Sequence, residues 1–303
     1  MNELVNTLNG LVWSPALIYL CLGVGLYFSL RGRFLQVRHF KEMIRLMFNG
    51  RTDEHGITSF QALTMTLAGR VGTGNIAGVA TAITFGGPGA VFWMWMVAFL
   101  GASSAFVEST LGQVYKEKID GQYRGGPAFY IEKGLGMKWY AWVFAVVTVF
   151  ACGVLLPGVQ ANSIASSVQT ALGVHPNTTA AVLAIILGLI IFGGVKRIAR
   201  FAEFVVPFMA LGYILVACVI VMLNIEKLPE VITLIFKSAF GLDAGFGAIL
   251  GLAIMWGVKR GVYSNEAGQG TGPHASSAAA VSHPAKQGLV QGFSVRSEEH
   301  TSE

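Results

Sequence analysis

The stretch that decides the fold reads Ala68-Gly69-Arg70-Val71-Gly72-Thr73-Gly74-Asn75-Ile76-Ala77-Gly78. It lies in the middle of a long apolar segment, residues 57–85, yet it holds four glycines within ten residues. Because each glycine costs a helix about 1 kcal/mol relative to alanine, we expect the helix to unwind here. Non-helical backbone at membrane depth is tolerated only where it lines a cavity or is buried in protein. The stretch therefore predicts a broken membrane helix beside a cavity.

The composition of the whole chain agrees with a membrane protein. Of 303 residues, 53% are hydrophobic and 12% are charged, and the mean hydropathy is +0.60. An ordinary soluble domain carries about 25% charged residues. The 38 glycines also suit membrane helices, where glycine lets backbones approach closely. These values disfavour a soluble enzyme, a nucleic-acid-binding domain and a disordered chain, and they make the lipid bilayer the expected partner.

Seven apolar runs are long enough to cross a bilayer. They comprise residues 11–30, 57–85, 90–114, 139–168, 178–195, 204–223 and 242–262. Two amphipathic stretches, residues 33–48 and 228–240, are too polar or too short to cross, so we expect them to lie along the interface. The sequence thus predicts an all-α polytopic membrane protein.

The distribution of Lys and Arg predicts the orientation of this protein in the plasma membrane. Residues 31–57, 114–139 and 196–203 hold fourteen of the 21 basic residues, whereas the alternate connections hold two. Basic residues concentrate in cytoplasmic loops, so the N-terminus is predicted outside. The basic pI of 9.2 therefore reflects topology and does not indicate a nucleic-acid partner.

A break in the second span would leave two half-helices with unpaired backbone ends. The outer half, from about Asn75, would begin with free N–H groups and a positive dipole end that suit a carboxylate. Thr73, Gly74 and Asn75 are therefore candidate substrate contacts, and Asn75 could also cap the helix. Carbonyls between Ala68 and Val71 would suit a small cation.

Two other interpretations of these glycines stay open. Gly74 and Gly78 have the spacing that allows two membrane helices to pack closely. The glycines also resemble a dinucleotide-binding loop, although no strand precedes them and no acidic residue follows at about 20 positions.

The seventh span has a matching interruption from Trp256 to Gly268. We expect the outer half-helix to end with free carbonyls near Trp256 and Gly257, which would receive an ammonium group. Counted after the first span, the two interruptions fall in spans one and six, as an inverted repeat of five plus five helices requires. An amino acid, with its carboxylate and ammonium close together, would fit between them.

Ionisable and amide groups within the spans are candidates for function. The charged candidates, with gating or ion-pair roles, are Arg70, Glu108, Lys259, Arg260 and Glu266. Gln160 lies in an otherwise apolar span and is a candidate for substrate contact, with an interhelical hydrogen bond as the alternative. The chain shows no pattern of catalytic residues, so an enzyme is not predicted.

Four separated blocks resemble those of the sodium:alanine symporter family, also called the alanine/glycine:cation symporters or amino-acid carrier proteins. They read Gly86-Gly87-Pro88-Gly89-Ala90-Val91-Phe92-Trp93-Met94-Trp95-Met96, Gly72-Thr73-Gly74-Asn75-Ile76-Ala77-Gly78, Gly125-Gly126-Pro127-Ala128-Phe129-Tyr130-Ile131 and Ser264-Asn265-Glu266-Ala267-Gly268. The resemblance covers about residues 10–295 and implies the LeuT-type 5+5 inverted-repeat fold. It also implies inward transport of alanine or glycine with Na⁺, alternatively H⁺, as the coupling ion and no other cofactor.

By the same resemblance, Ala68 and Val71 would give carbonyls to Na⁺, and Thr73, Gly74 and Asn75 would hold the substrate carboxylate. Residues 1–30 would form an extra N-terminal membrane helix and residues 31–56 a cytoplasmic amphipathic connection. Residues 57–223 would be the first five-helix repeat, and residues 224–295 the start of the second. An ion channel or a structural membrane protein is the alternative function.

The family has eleven spans, so we predict that this chain is truncated after the sixth core helix and does not work alone. Its last eight residues, 296–303, read RSEEHTSE and are wholly polar. They follow residues 287–295, which look like the start of another span, and they match the translation of a common sequencing adapter. We expect this tail to be non-native, with a genuine polar tail as the alternative.

Overall fold

The computed structural model describes residues 2–48, 55–241 and 247–297, and these residues are mostly helical. The helices are α1 Asn2–Val12, α2 Pro15–Arg31, α3 Leu35–Arg38, α4 Phe40–Phe48, α5 Ser59–Arg70, α6 Thr73–Gly86, α7 Gly89–Val114, α8 Pro127–Leu135, α9 Lys138–Phe150, α10 Leu156–Leu172, α11 Pro176–Ile191, α12 Gly194–Leu223, α13 Leu228–Ala239, α14 Gly247–Asn265, α15 Gly272–Ser277 and α16 Pro284–Ser297. A π-helical turn, Ala151–Leu155, joins α9 to α10, and a 3₁₀ turn, Ile225–Lys227, precedes α13. The strands β1 Glu117–Ile119 and β2 Gln122–Arg124 form an antiparallel hairpin that the sequence analysis did not predict.

Six of the seven predicted spans coincide with apolar helices. Among the described residues, four segments are long and apolar enough to cross a membrane: Asn9–Arg31, Gly89–Val114, Lys138–Leu172 and Gly194–Leu223. Two shorter apolar helices, Asn75–Gly86 and Pro176–Ile191, overlap the second and fifth predicted spans. The seventh span corresponds to α14, and its first residues, 242–246, lie outside the described residues, as do 298–303 of the tail.

Helix α7 is the centre of the protein, and α2, α6, α13, α14, α15 and α16 pack around it. In the most apolar stretch of α7, 56% of the residues are buried inside the protein. In the corresponding stretch of Lys138–Leu172, none is buried. Helices α9 to α12 instead carry large apolar side chains on their outer surfaces. Trp142 of α9 is 72% exposed and Phe204 of α12 is 80% exposed. Such a surface is stable only against an apolar solvent, as expected for helices that face lipid.

The predicted break in the second span is confirmed. Helix α5 ends at Arg70 and α6 begins at Thr73, and both Val71 and Gly72 between them are extended. The outer half-helix begins at Thr73 and not at Asn75, and Gly72 is its N-cap residue, so the predicted Asn75 cap is wrong. The Asn75 N–H instead donates to the Gly72 carbonyl at 3.1 Å within the first turn.

The second break lies further along the chain than predicted. Helix α14 continues without interruption through Trp256 and Gly257 to Asn265, so the predicted free carbonyls at Trp256 and Gly257 are wrong. The irregular backbone follows at residues 266–271. Glu266 has φ +53° at its start, and α15 resumes the helix at its end.

The glycines of α14 serve helix packing, which explains why they do not break the helix. A Cβ atom added to Gly257 would lie 2.5 Å from Trp93 Cβ and 2.6 Å from the Ala90 carbonyl oxygen of α7. A Cβ atom added to Gly261, one turn later, would lie 3.2 Å from Val97 Cβ. Small residues spaced by four allow membrane helices to approach this closely.

Replacing Gly257 with valine should therefore destabilise the protein. Neither the Ala90 backbone nor Trp93 Cβ can move aside, and overpacking of this kind costs about 1–3 kcal/mol. For a protein of this size, we expect a fall in Tm of about 2–5 °C in detergent, measured by fluorescence-detected thermal unfolding. Gly251→Val on the same helix is the matched control, since no atom lies within 4 Å of its added Cβ. Equal Tm values for the two variants would contradict this packing role.

Candidate functional site

A cavity of about 490 Å³ lies beside the first break. The end of α5, the break itself, the start of α10 and the segment after α14 form its walls. Five residues that the sequence analysis singled out line it: Ala68, Arg70, Val71, Gln160 and Glu266. The glycine-rich stretch therefore does lie beside a cavity, as predicted.

Gln160 lies directly over the broken backbone. A Cβ atom added to Gly72 would be 2.9 Å from Gln160 Nε2 and 3.2 Å from its Oε1. The approach is possible only because Gly72 has no side chain. The π-helical turn, Ala151–Leu155, and Pro157 after it interrupt the regular helix one turn before Gln160. Such π-helical turns are often found at functional sites.

Asn75 connects the first turn of α6 to the last turn of α14. Its Oδ1 atom accepts a hydrogen bond from the Ser264 hydroxyl at 2.6 Å, and both residues are buried. Its Nδ2 atom has no hydrogen-bond partner among the residues that the structure describes. The two broken segments are thus held together by a side chain that the sequence analysis placed at the first break.

The segment 266–271 is folded around its own acidic residue. The Glu266 carboxylate lies over α5, because a Cβ atom added to Gly69 would be 3.2 Å from Glu266 Oε1. The Thr271 hydroxyl donates to Glu266 Oε2 at 2.7 Å. Gln269 Nε2 donates to the Val262 carbonyl at 2.8 Å, and the same carbonyl accepts the Glu266 N–H at 3.0 Å.

Arg70 and Glu108 adjoin the same segment. Arg70 is 1% exposed and donates a hydrogen bond to Ser294 of α16. Glu108 of α7 is also buried, and it accepts hydrogen bonds from the backbone N–H groups of Gly268 and Gly270. Three of the predicted intramembrane ionic residues therefore gather around the second break.

The other predicted residues lie outside the cavity lining or at the start of α6. Lys259 Nζ and the Arg260 guanidinium lie 5.7 Å and 5.4 Å from the centre of the Trp256 ring. The Trp256 ring stacks on Phe85 at 4.9 Å, outside the cavity lining. Thr73 and Gly74 open α6 directly after the break.

Among the other residues that line the cavity, sequence reasoning missed three polar residues close to the second break: Tyr263, Gln269 and Thr271. Tyr263 directly precedes the block beginning at Ser264, and Gln269 and Thr271 flank a glycine just after it. The alternation of glycine and polar residues over 268–271 is a loop signal that could have shifted the predicted break to this point.

The protein has exposed apolar helices and a cavity beside a broken helix. These features define the class of polytopic membrane proteins with a transporter-type binding cavity. Residues 1–298 match the sequence profile of the Sodium:alanine symporter family. The chain belongs to this family.

Three relatives illustrate the match. YrbD of Bacillus subtilis (strain 168), whose name describes a candidate sodium/proton-dependent alanine carrier, is 64% identical over 97% of this chain and 61% of its own length. The sodium/proton-dependent alanine carrier protein of Bacillus sp. (strain PS3) is 54% identical over 84% of this chain and 57% of its own. The sodium/alanine symporter AgcS of Methanococcus maripaludis is 46% identical over 95% of this chain and 65% of its own length. The chain thus spans about three-fifths of the length of these relatives.

Proposed function

We propose that the protein is a secondary active symporter that carries a small neutral amino acid, alanine or glycine, into the cell with Na⁺. The observation that supports this most directly is the cavity at the break between α5 and α6. Broken helices at membrane depth are typical of transporter binding sites. Relatives named for sodium and alanine support the choice of ion and substrate.

The substrate carboxylate would bind at the start of α6. This helix of 14 residues begins at Thr73, so its first N–H groups lie at the break, and its dipole favours an anion there. Thr73, Gly74 and Asn75 are the proposed carboxylate contacts. No side chain of opposite charge is needed at this position.

The carbonyl end of α5 would bind the coupling ion. The last carbonyls of a helix lack partners within it, and Ala68 and Val71 both line the cavity. For the substrate ammonium, the cavity offers Gln160 Oε1 and the Glu266 carboxylate in place of Trp256 and Gly257. Both are cavity-lining oxygen acceptors, as an ammonium group requires.

The positions of the two breaks support the LeuT-type inverted-repeat architecture. The first break lies between α5 and α6, and the second between α14 and α15. In that architecture, these would be the first and sixth core helices. Backbone hydrogen bonds of Ile57 with Ala278 and Ala280 tie the start of α5 to the chain after α15. We further propose that the N-terminus lies outside the plasma membrane, as the charge distribution predicts.

Uptake of labelled alanine by the protein in proteoliposomes tests this function. At an inside-negative potential of 100 mV, one Na⁺ contributes about 2.3 kcal/mol, enough for roughly 40-fold accumulation. We expect that replacing external Na⁺ with K⁺ lowers initial uptake at least tenfold.

Empty liposomes are the control for leakage. Uptake that is unchanged without Na⁺ would reject sodium coupling, and a proton gradient would then be applied in its place. A steady ion current without saturable alanine uptake would indicate a channel.

A further inference from the structure

The segment 266–271 separates two cavities. A second cavity, of about 540 Å³, lies between α2 and α7 and is lined mostly by apolar side chains such as Phe28 and Val97. Gln269 lines both this cavity and the candidate substrate cavity. Glu108 lines the second cavity, whereas Glu266 lines the first. The segment is therefore the wall that the two cavities share.

One carboxylate of α7 contacts this wall through two hydrogen bonds. Glu108 Oε1 accepts from the Gly268 N–H at 3.2 Å, and Glu108 Oε2 accepts from the Gly270 N–H at 3.1 Å. Both glycines have φ +81°, a left-handed conformation that other residues rarely adopt. This backbone shape directs two N–H groups toward the two oxygens of one side chain. Glu108 is only 7% exposed, so water competes little for these bonds.

We propose that Glu108 is a latch whose negative charge holds segment 266–271 against α7 and whose neutralisation releases the segment. A charged hydrogen bond is roughly twice as strong as a neutral one. A protonated carboxyl group also turns one oxygen into a donor, which cannot pair with an N–H group. Protonation thus weakens both bonds together and loosens the wall between the cavities.

The groups that face Glu108 define the electrostatic setting of the latch. The positive charge of Arg70 in α5 favours the charged form of Glu108, whereas the negative charge of Glu266 in the segment opposes it. Tyr130 of α8 and Cys21 of α2 line the same cavity as Glu108. Burial raises the pKa of the Tyr130 phenol, so this group stays neutral beside the carboxylate. The titratable groups of the two neighbouring helices have other partners. His274 of α15 contacts the Gly125 carbonyl, and Lys286 of α16 donates to the Ser282 hydroxyl.

For the proposed symporter, release of this wall would change which cavity reaches the bound substrate. Glu108 would then act as a positioning residue, without touching the substrate. This role rests on the proposed function, but the movement of the segment can be measured without transport.

Hydrogen–deuterium exchange of the whole protein tests the latch. At about pH 7.5, we expect peptides covering residues 266–271 to exchange at least tenfold faster in Glu108→Gln than in the wild type, with α12 unchanged. After correction for intrinsic exchange, protection of the wild-type segment should fall as the pH is lowered, because acid neutralises the carboxylate. In Glu108→Gln, protection should not depend on pH.

Two further variants separate the latch from general stabilisation. Glu108→Asp keeps the charge with a shorter reach, so its segment should be less protected but still pH-dependent. Gln113→Leu, also on α7, removes neutral hydrogen bonds to the Ser276 and Ala279 carbonyls and should leave the pH dependence of 266–271 intact.

Equal exchange in Glu108→Gln and the wild type would overturn the proposal. Wild-type protection that does not change with pH would also overturn it, even if Glu108→Gln does not fold. Failure of the protein to take up alanine would instead reject the transport function, while the exchange result would still decide the latch.

Discussion

Replacing Gly72 with alanine should reduce alanine uptake at least a hundredfold while the protein still folds. The first atom of any new side chain would lie 2.9 Å from Gln160 Nε2, so the amide must leave its position. Gln160 has a long side chain that borders the cavity, so its amide has space to move into without displacing a helix. Displacement of a binding group by about 1 Å can cost about a hundredfold in rate. Initial uptake rates in proteoliposomes, normalised to reconstituted protein, measure this effect.

The matched control is Gly78→Ala, in the same half of the broken span. The nearest atom to its added Cβ is Arg260 Cδ at 4.0 Å, an ordinary contact, so uptake should stay within about twofold of the wild type. A Gly72→Ala/Gln160→Ala double variant should be no worse than Gln160→Ala alone, because the alanine at position 72 then has no amide to displace. Wild-type uptake by Gly72→Ala would show that the space beside Gly72 is not used by the substrate.

The first break could be predicted from sequence because its cause is local. Glycines in a span that is otherwise apolar weaken the helix wherever the rest of the protein lies. The apolar spans were predictable for the same reason, since length and hydropathy are properties of the segment itself. The structure places the break within two residues, Val71 and Gly72.

The second break was misplaced because a glycine in a helix has two opposite uses. Gly257 and Gly261 face the backbone of α7, where they allow close packing and the helix continues. Only the position of the neighbouring helix distinguishes such a glycine from one that ends a helix, and that position is tertiary information.

The hydrogen bonds of the ionic residues were beyond sequence reasoning too. Glu108 could be identified as a buried charge, but its partners are backbone N–H groups of Gly268 and Gly270, some 160 residues away. A backbone N–H group has no signature in the sequence. The β1–β2 hairpin, in contrast, could have been predicted from the sequence and was missed. Its Asp120-Gly121 pair is a strong turn signal within the charged connection.

Removing the Asn75 side chain should impair transport more than any other single change in α6. We expect Asn75→Ala to lower kcat/KM for uptake at least a hundredfold, because the substitution removes the link between the two breaks and leaves the buried Ser264 hydroxyl without its acceptor. An unpaired buried hydroxyl costs about 1–3 kcal/mol. Ser264→Ala removes only the donor of the same bond, so we expect a smaller loss of about tenfold.

A double-mutant cycle shows whether the two residues act through this bond. The coupling energy between Asn75→Ala and Ser264→Ala should be about 1–2 kcal/mol, within the range for residues in direct contact. Thr81→Ala is the control, since the exposed Thr81 hydroxyl donates only to the Ala77 carbonyl of its own helix. Additive losses from Asn75→Ala and Ser264→Ala would contradict the link.

Asn75→Asp separates the two atoms of the amide. Asp keeps an oxygen for the Ser264 hydroxyl, which donates at 2.6 Å, but it replaces the Nδ2 donor, which has no partner among the described residues. An aspartate would also place a negative charge at the N-terminal end of α6, where the substrate carboxylate is proposed to bind. We therefore expect Asn75→Asp to keep the Tm of the wild type and to lose uptake. If Asn75→Asp transports alanine normally, the Nδ2 atom is not a substrate contact, and the role of Asn75 is confined to joining the two broken segments.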